Sequence, residues 1–232
     1  MLDQINQRWD ESRMGSLTKK RSDSAVATLN NIGVFIIGGG HQARTSDFLP
    51  AGQMQWQEGP AVPVDMWYPC AVTITNTSFL SIYGTVIREF DAAIAGPTSS
   101  SGWREAGRWP SLGSYRDNSP GCAKVGQKVI IAGGNSKTGG SLKSTEVLDL
   151  ATHSLASGGE MATARTWFLL VTIISGGEEE LFALAGSDDS SNFNSVEEWV
   201  EETSRWKAAD NLVKKTHAYG AVAVPRQFIC PV

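Results

Sequence analysis

The sequence predicts an all-β chain built from one repeated four-stranded unit, and three observations carry that expectation. An apolar run ending in paired glycines recurs: GVFIIGGG at 33–40, VIIAGG at 129–134, and LFALAG at 181–186, where one Gly is lost. Trp9, Trp56 and Trp103 fall 47 residues apart, and Leu155 and Trp206 continue the column at spacings of 52 and 51. The stretches between are rich in β-branched and aromatic residues and are bounded by Gly, Asn, Ser or Asp, the composition of short strands and tight turns. A period of this length marks a repeat architecture, so register along the repeat decides the individual strands.

Each full unit reads as four strands. The first has them at 25–30, 33–39, 45–50 and 55–59, and the second at 70–76, 79–84, 87–92 and 102–108. The third has them at 122–125, 128–134, 145–150 and 155–159, and the fourth at 168–174, 181–186, 196–201 and 205–209. The repeats therefore occupy about 24–60, 68–108, 119–161 and 166–211 of a single domain, 1–232. A hydrophobic residue and then, in most units, a turn former lie six positions before each anchor: Leu2-Asp3, Leu49-Pro50, Leu148-Asp149 and Trp199-Val200. The second unit departs from this column because AAIAGPTSSSG, 92–102, lengthens its last hairpin. A short connection after Gly84 compensates. SVEEWVEETSRWKAA, 195–209, has the local spacing of an amphipathic helix, with Val196, Trp199, Val200 and Trp206 on one side. Its register against STEVLDLATHSL, 144–155, makes it two strands instead. The chain ends supply complementary half-units, 216–232 and 1–13. Both a fifth unit closed from the two termini and an open fragment of a larger ring fit them.

The chain has 232 residues, 41% of them hydrophobic and 19% charged, which suits a packed globular domain. Its net charge of −4 argues against a nucleic-acid partner, because phosphate binding calls for a basic face. Lys19-Lys20-Arg21 reads as a solvated turn. No run of about 18 apolar residues is present, so no membrane helix is expected, and the first 20 residues lack the apolar block of a leader. Cys70, Cys122 and Cys230 form an odd set without C-x-x-C spacing. They predict neither a disulfide framework nor a zinc site, but free thiols buried in strands. A cytoplasmic location follows as the expectation. Asn76-Thr77-Ser78 is a glycosylation sequon in a predicted turn, a triplet that also arises by chance.

The repeated columns resemble those of the kelch family: a strand ending in a double Gly, a strand of the type S-V-E-x-Y-D, and a Trp about six residues beyond its Asp. The double Gly is Gly38-Gly39 and Gly133-Gly134, reduced to Tyr83-Gly84 and Ala185-Gly186. The third-strand element is Ser195-Val196-Glu197-Glu198-Trp199 and Ser144-Thr145-Glu146-Val147-Leu148-Asp149. The chain departs from the pattern where Leu155 replaces Trp, and no repeat has every element. The resemblance implies a kelch-type β-propeller of four-stranded blades around a channel, in which stacking buries blade faces that no blade can bury alone. Trp9, Trp56, Trp103, Leu155 and Trp206 would then be wedges between blades, and Gly38, Gly39, Gly84, Gly133, Gly134 and Gly186 the tight turns.

No chemistry is assembled by spacing alone. The glycine runs lack G-x-x-x-x-G-K-[ST] and a following helix, so they predict no nucleotide site. SDDSSNFN, 187–194, is rich in oxygen but lacks the sixth-position Gly and twelfth-position Glu of a calcium loop. His41, His153 and His217 lie in three repeats without ligand spacing. The resemblance nonetheless leaves open a carbohydrate-acting enzyme, related to galactose oxidase or sialic-acid epimerases. The favoured expectation needs no cofactor: a protein-interaction module, scaffold or substrate adaptor, presenting loops of one face to a protein or peptide. Its candidate binding residues are His41, Arg44, Trp67, Tyr68, Tyr115, Arg116, Asn135, Lys137, Arg165, Asp188, Asn192, Phe193 and His217. Arg, Trp and Tyr on exposed loops are the types enriched at interface hot spots. Arg116 and Arg165 fit equally well as braces within the fold.

Overall fold

The computed structural model describes residues 15–188 and 190–216, together with the backbone of β1 (Leu2–Asp3) and β2 (Arg8–Trp9), which pair antiparallel. The described chain is all-β, in antiparallel sheets whose strands neighbour one another in chain order. The first sheet is β3 (Ala25–Leu29), β4 (Gly33–Ile37), β5 (Ser46–Pro50) and β6 (Gln57–Glu58). The second has three strands, β7 (Cys70–Thr73), β8 (Ser78–Tyr83) and β9 (Val86–Asp91). The third is β10 (Gly121–Val125), β11 (Lys128–Ala132), β12 (Thr145–Asp149) and β13 (Leu155–Gly158). The fourth is β14 (Leu169–Ser175), β15 (Glu178–Leu184), β16 (Val196–Val200) and β17 (Arg205–Ala209). Residues 216–232, the expected other half of the closing unit, lie outside the described residues apart from Thr216.

The repeat register holds where local periodicity pointed elsewhere. The 195–209 segment is β16 and β17, with Trp199 opposite Trp206 across the hairpin. One expected strand, 102–108, does not form. The long hairpin there folds into α1 (Ala92–Ala95) and a 3-10 turn at Ser100–Gly102. Asp91 caps α1 by accepting from the Ala93 N–H. Only Trp103 keeps a sheet bridge, to Phe90. Beyond it Arg104 keeps one backbone bond, from its N–H to the Glu89 carbonyl (2.9 Å), and the side chains of Arg104 and Arg108 turn back onto Asp91 (2.7 Å) and Glu89 (2.6 Å).

The chain divides into two compact units, one comprising 1–82 with 87–108 and the other 83–86 with 109–232. In the first unit, Phe35 of β4 meets Phe48 of β5, and Phe79 and Phe90 of β8 and β9, with ring centroids 4.7–5.5 Å apart. Phe35, Phe79 and Phe90 are all fully buried, so two sheets pack face to face through one aromatic layer. In the second unit, Ala123, Val125 and Ile130 of the third sheet pack on Leu181 and Trp199 of the fourth.

The Trp column is less buried than expected. Trp206 does bridge two sheets: it stacks edge-on against Trp199 at 5.2 Å and donates its Nε1–H to Thr145 Oγ1 at 2.9 Å. Trp103 instead packs on Phe79 and Phe90 of its own sheet. Trp56, Trp103, Leu155 and Trp206 are all half-buried; Leu155 and Trp206 lie on β13 and β17, the edge strands of their sheets. The Trp9 side chain lies outside the described residues.

Candidate functional site

In each sheet the turn after the second strand is fastened to the segment that follows that sheet's last strand or loop. Gly39, Gly84, Gly134 and Gly186 donate their N–H groups to the carbonyls of Met66, Arg116, Arg165 and Thr216, at 2.8, 2.8, 3.0 and 3.2 Å. This brings the two sets of loops to one end of each sheet. The contact also explains the glycines. Gly133 has φ +61°, and a Cβ there would lie 2.5 Å from the Arg165 carbonyl and the Phe168 ring. Ala185 occupies the matching place with φ +56°, in the left-handed region that glycine tolerates best.

Three arginines on these loops form one repeated clamp. Arg116 donates to the Gly133 and Ser144 carbonyls (2.8 and 3.0 Å), to Ser144 Oγ (3.1 Å) and to Glu146 (3.0 Å). Arg165 donates to the Ala185 and Ser195 carbonyls (2.8 and 3.2 Å), to Ser195 Oγ (3.1 Å) and to Glu197 (2.6 Å). Arg21 donates to the Gly38 and Thr45 carbonyls (2.9 and 3.2 Å) and to Thr45 Oγ1 (3.1 Å), and pairs with Asp47 at 2.8 Å. Each planar guanidinium closes the end of a second-to-third-strand hairpin: it binds the Gly38, Gly133 or Ala185 carbonyl and adds a second donor to the Thr45, Ser144 or Ser195 carbonyl, which already accepts from the backbone across the hairpin. Arg116 and Arg165 are 0% exposed. Burial pushes both guanidinium groups below their ordinary pKa, and Glu146 and Glu197 pull them back toward the charged form.

Arg116 and Arg165 are therefore braces. Arg21, read from the sequence as part of a solvated turn, has a side chain only 1% exposed and belongs with them. The sequence does hold a signal for this column. Arg21 and Arg116 each stand 17 residues before the carbonyl they cap, and Arg165 stands 20 before its own. The hydroxyl residue and the carboxylate two positions beyond it complete the pattern at Thr45/Asp47, Ser144/Glu146 and Ser195/Glu197.

The other candidate residues separate by exposure. Asn135 is half-buried and exchanges backbone hydrogen bonds with Asp117, while Lys137 is exposed at the tip of the same loop. Asp188 accepts from the Ser190 and Ser191 backbone and from Ser190 Oγ, all at 2.8 Å, and these bonds hold its carboxyl below the usual range. Asn192 and Phe193 are half-buried, and the Phe193 ring lies 5.8 Å from the Arg165 guanidinium carbon. Tyr115 is half-buried against Tyr83. His217 lies outside the described residues.

His41, Arg44 and Trp67 are exposed in the first unit, on two segments zipped together by backbone hydrogen bonds. Gly39 N–H donates to Met66 O, Met66 N–H to Ala43 O (3.1 Å), and Val62 N–H to Arg44 O (2.9 Å). Met66, directly before Trp67, is fully buried. Trp67 itself is 42% exposed, and Tyr68 is half-buried beside it. Arg44 pairs with Asp65 at 2.7 Å in the open, and that carboxylate holds the guanidinium above its ordinary pKa.

Two further findings bear on chemistry. Cys70 and Cys122 are each disulfide-bonded, which corrects the expectation of free buried thiols. Among the described residues, no group of three His, Cys, Asp or Glu side chains is placed to hold a metal ion. No helix among them is long and apolar enough to cross a membrane. The chain matches no protein-family model, and no curated protein sequence matches it.

Proposed function

We propose that this chain is a kelch-type β-propeller serving as a protein-interaction module, and that it presents the loops at the second-to-third-strand end of its sheets to a protein or peptide. The propeller reading is supported by antiparallel meanders of three or four strands in chain order and by the recurrence of the glycine turns. The binding reading rests on one observation: Trp67 stays exposed on a segment whose backbone is pinned on both sides of Met66. A rigidly held aromatic side chain loses little conformational entropy on binding, and Arg44 and His41 are exposed on the segment it is pinned to. A substrate-adaptor or scaffold role belongs to the same reading.

Affinity capture with the wild-type chain, Trp67→Ala, Arg44→Ala and a remote control, Glu202→Gln, tests it. A partner retained by wild type and Glu202→Gln and lost with Trp67→Ala, at unchanged melting temperature, is the expected result. Identical partners bound by wild type and Trp67→Ala would sink the reading.

A further inference from the structure

The turn between β7 and β8 carries a motif that the loop-end reading does not use. Asn76-Thr77-Ser78 satisfies the Asn-x-Ser acceptor rule, with Thr rather than Pro in the middle. We propose that Asn76 carries an N-linked oligosaccharide and that the chain folds in an oxidising compartment.

Two independent observations support this. The first is the turn itself. Asn76 is exposed, and among the described residues its side chain has no hydrogen-bond partner; its neighbours hold the turn. Thr75 Oγ1 accepts from the N–H groups of Thr77 (3.2 Å) and Ser78 (3.0 Å) and shares a hydrogen bond with Ser78 Oγ (2.7 Å). Ile74 and Thr75 donate their N–H groups to Ser78 O, and Thr77 O accepts from Ala92 N–H. A bulky polar group on Asn76 therefore displaces no packing and breaks no bond.

The second observation is the disulfide bonding of Cys70 and Cys122. Structural disulfides persist in secretory and extracellular compartments and are rare in the reducing cytosol. Oligosaccharide transfer to Asn-x-Ser takes place in that same secretory route. Cys70 opens β7, the strand that leads directly into the acceptor turn. The cytoplasmic expectation gives way on these grounds.

The step is a group transfer from a polyprenyl-diphosphate-linked oligosaccharide. The bond from the sugar's anomeric carbon to the diphosphate oxygen breaks and a bond from that carbon to Asn76 Nδ2 forms. The amide releases one proton and the lipid diphosphate leaves. Ser78 is only 2% exposed in the fold, so transfer precedes closure of the hairpin. Within this meander, the β7–β8 turn and the Gly84-Thr85 turn lie at opposite ends of the sheet, so the sugar leaves the loop end uncovered.

The test uses the full chain, both the endogenous protein and a recombinant form secreted from eukaryotic cells. Peptide N-glycosidase should raise the mobility of the secreted wild-type chain and convert Asn76 to Asp, and Asn76→Gln should abolish the shift. Mapping of the endogenous protein should show the same conversion, with Cys70 and Cys122 alkylated only after reduction. Secreted, folded wild type with an unmodified Asn76 overturns the proposal. So does an endogenous chain whose Asn76 is unmodified or whose two cysteines alkylate without reduction.

Discussion

The segments that lead into the second and fourth repeats face the same backbone task with different side chains. Met66 receives the Gly39 N–H on its carbonyl, and Arg165 receives the Gly134 N–H in the same way; both side chains are fully buried. Around Arg165 the structure supplies Glu197, Ser195 Oγ and two carbonyls. Around the Met66 side chain the polar neighbour is Ser81, whose Oγ lies 3.8 Å from the sulfur. The backbone contact thus sets the position, and either an apolar plug or a charge with its own carboxylate fills it. The difference has a functional side. The fourth repeat turns its loop charge inward, whereas the second leaves Trp67 outward beside a buried methionine.

The largest effect expected from breaking this comparison is at Arg116. Arg116→Ala leaves Glu146 buried without its guanidinium partner and should cost about 3–5 kcal/mol, read by chemical denaturation. Arg116→Met, which copies the second repeat, should cost nearly as much alone. Paired with Glu146→Leu it should recover most of the loss, because an apolar pair of similar volume often replaces a buried ion pair without penalty. If Arg116→Met alone is neutral, the carboxylate is not held by the clamp.

A middle-sized effect is expected at Trp206. Trp206→Phe keeps the edge-on contact with Trp199 but loses the donor to Thr145, and should lower stability by about 1–2 kcal/mol. Trp56→Ala should fall below the roughly 3–5 kcal/mol of a fully buried aromatic truncation, since Trp56 is half-buried. Equal, large losses at both positions would restore the wedge role for the whole column.

The smallest effect is in acid. Burial pushes the Asp91 carboxyl up, but hydrogen bonds from the Ala93 backbone and Thr77, and the bond and charge of Arg104, outweigh it and hold it below the ordinary carboxylate range. A carboxylate depressed in the fold adds stability above its unfolded pKa and loses it as pH falls through the folded value. Asp91→Asn should therefore lower stability at neutral pH and flatten its decline below about pH 4. An unchanged acid limb in urea denaturation would show that Asp91 is not depressed.

Much of the architecture was legible because the same pattern of glycines and large apolar residues recurs in successive repeats. The strands of the 195–209 segment were readable only by register against 144–155, where local spacing favoured a helix. The fourth strand of the second repeat was not readable. Its Trp103 keeps the column, but Asp91 caps a helix and draws Arg104 back, and neither contact is visible in spacing. Exposure of the loop residues was the other gap. Arg44 and Arg165 are the same residue type on similar loops, and only the carboxylates and carbonyls around them separate surface from clamp. The disulfide state of Cys70 and Cys122 had no spacing signature at all.

A double-mutant cycle on Arg165 and Glu197, measured by chemical denaturation beside Arg44→Ala, tests most directly the claim that the buried loop arginines hold the fold. Arg165→Ala and Glu197→Gln should each cost several kcal/mol, about 3–5 for the arginine, and together cost less than their sum by at least about 1 kcal/mol, while Arg44→Ala stays within about 0.5 kcal/mol of wild type. Additive single effects, with Arg165→Ala as mild as Arg44→Ala, would contradict it.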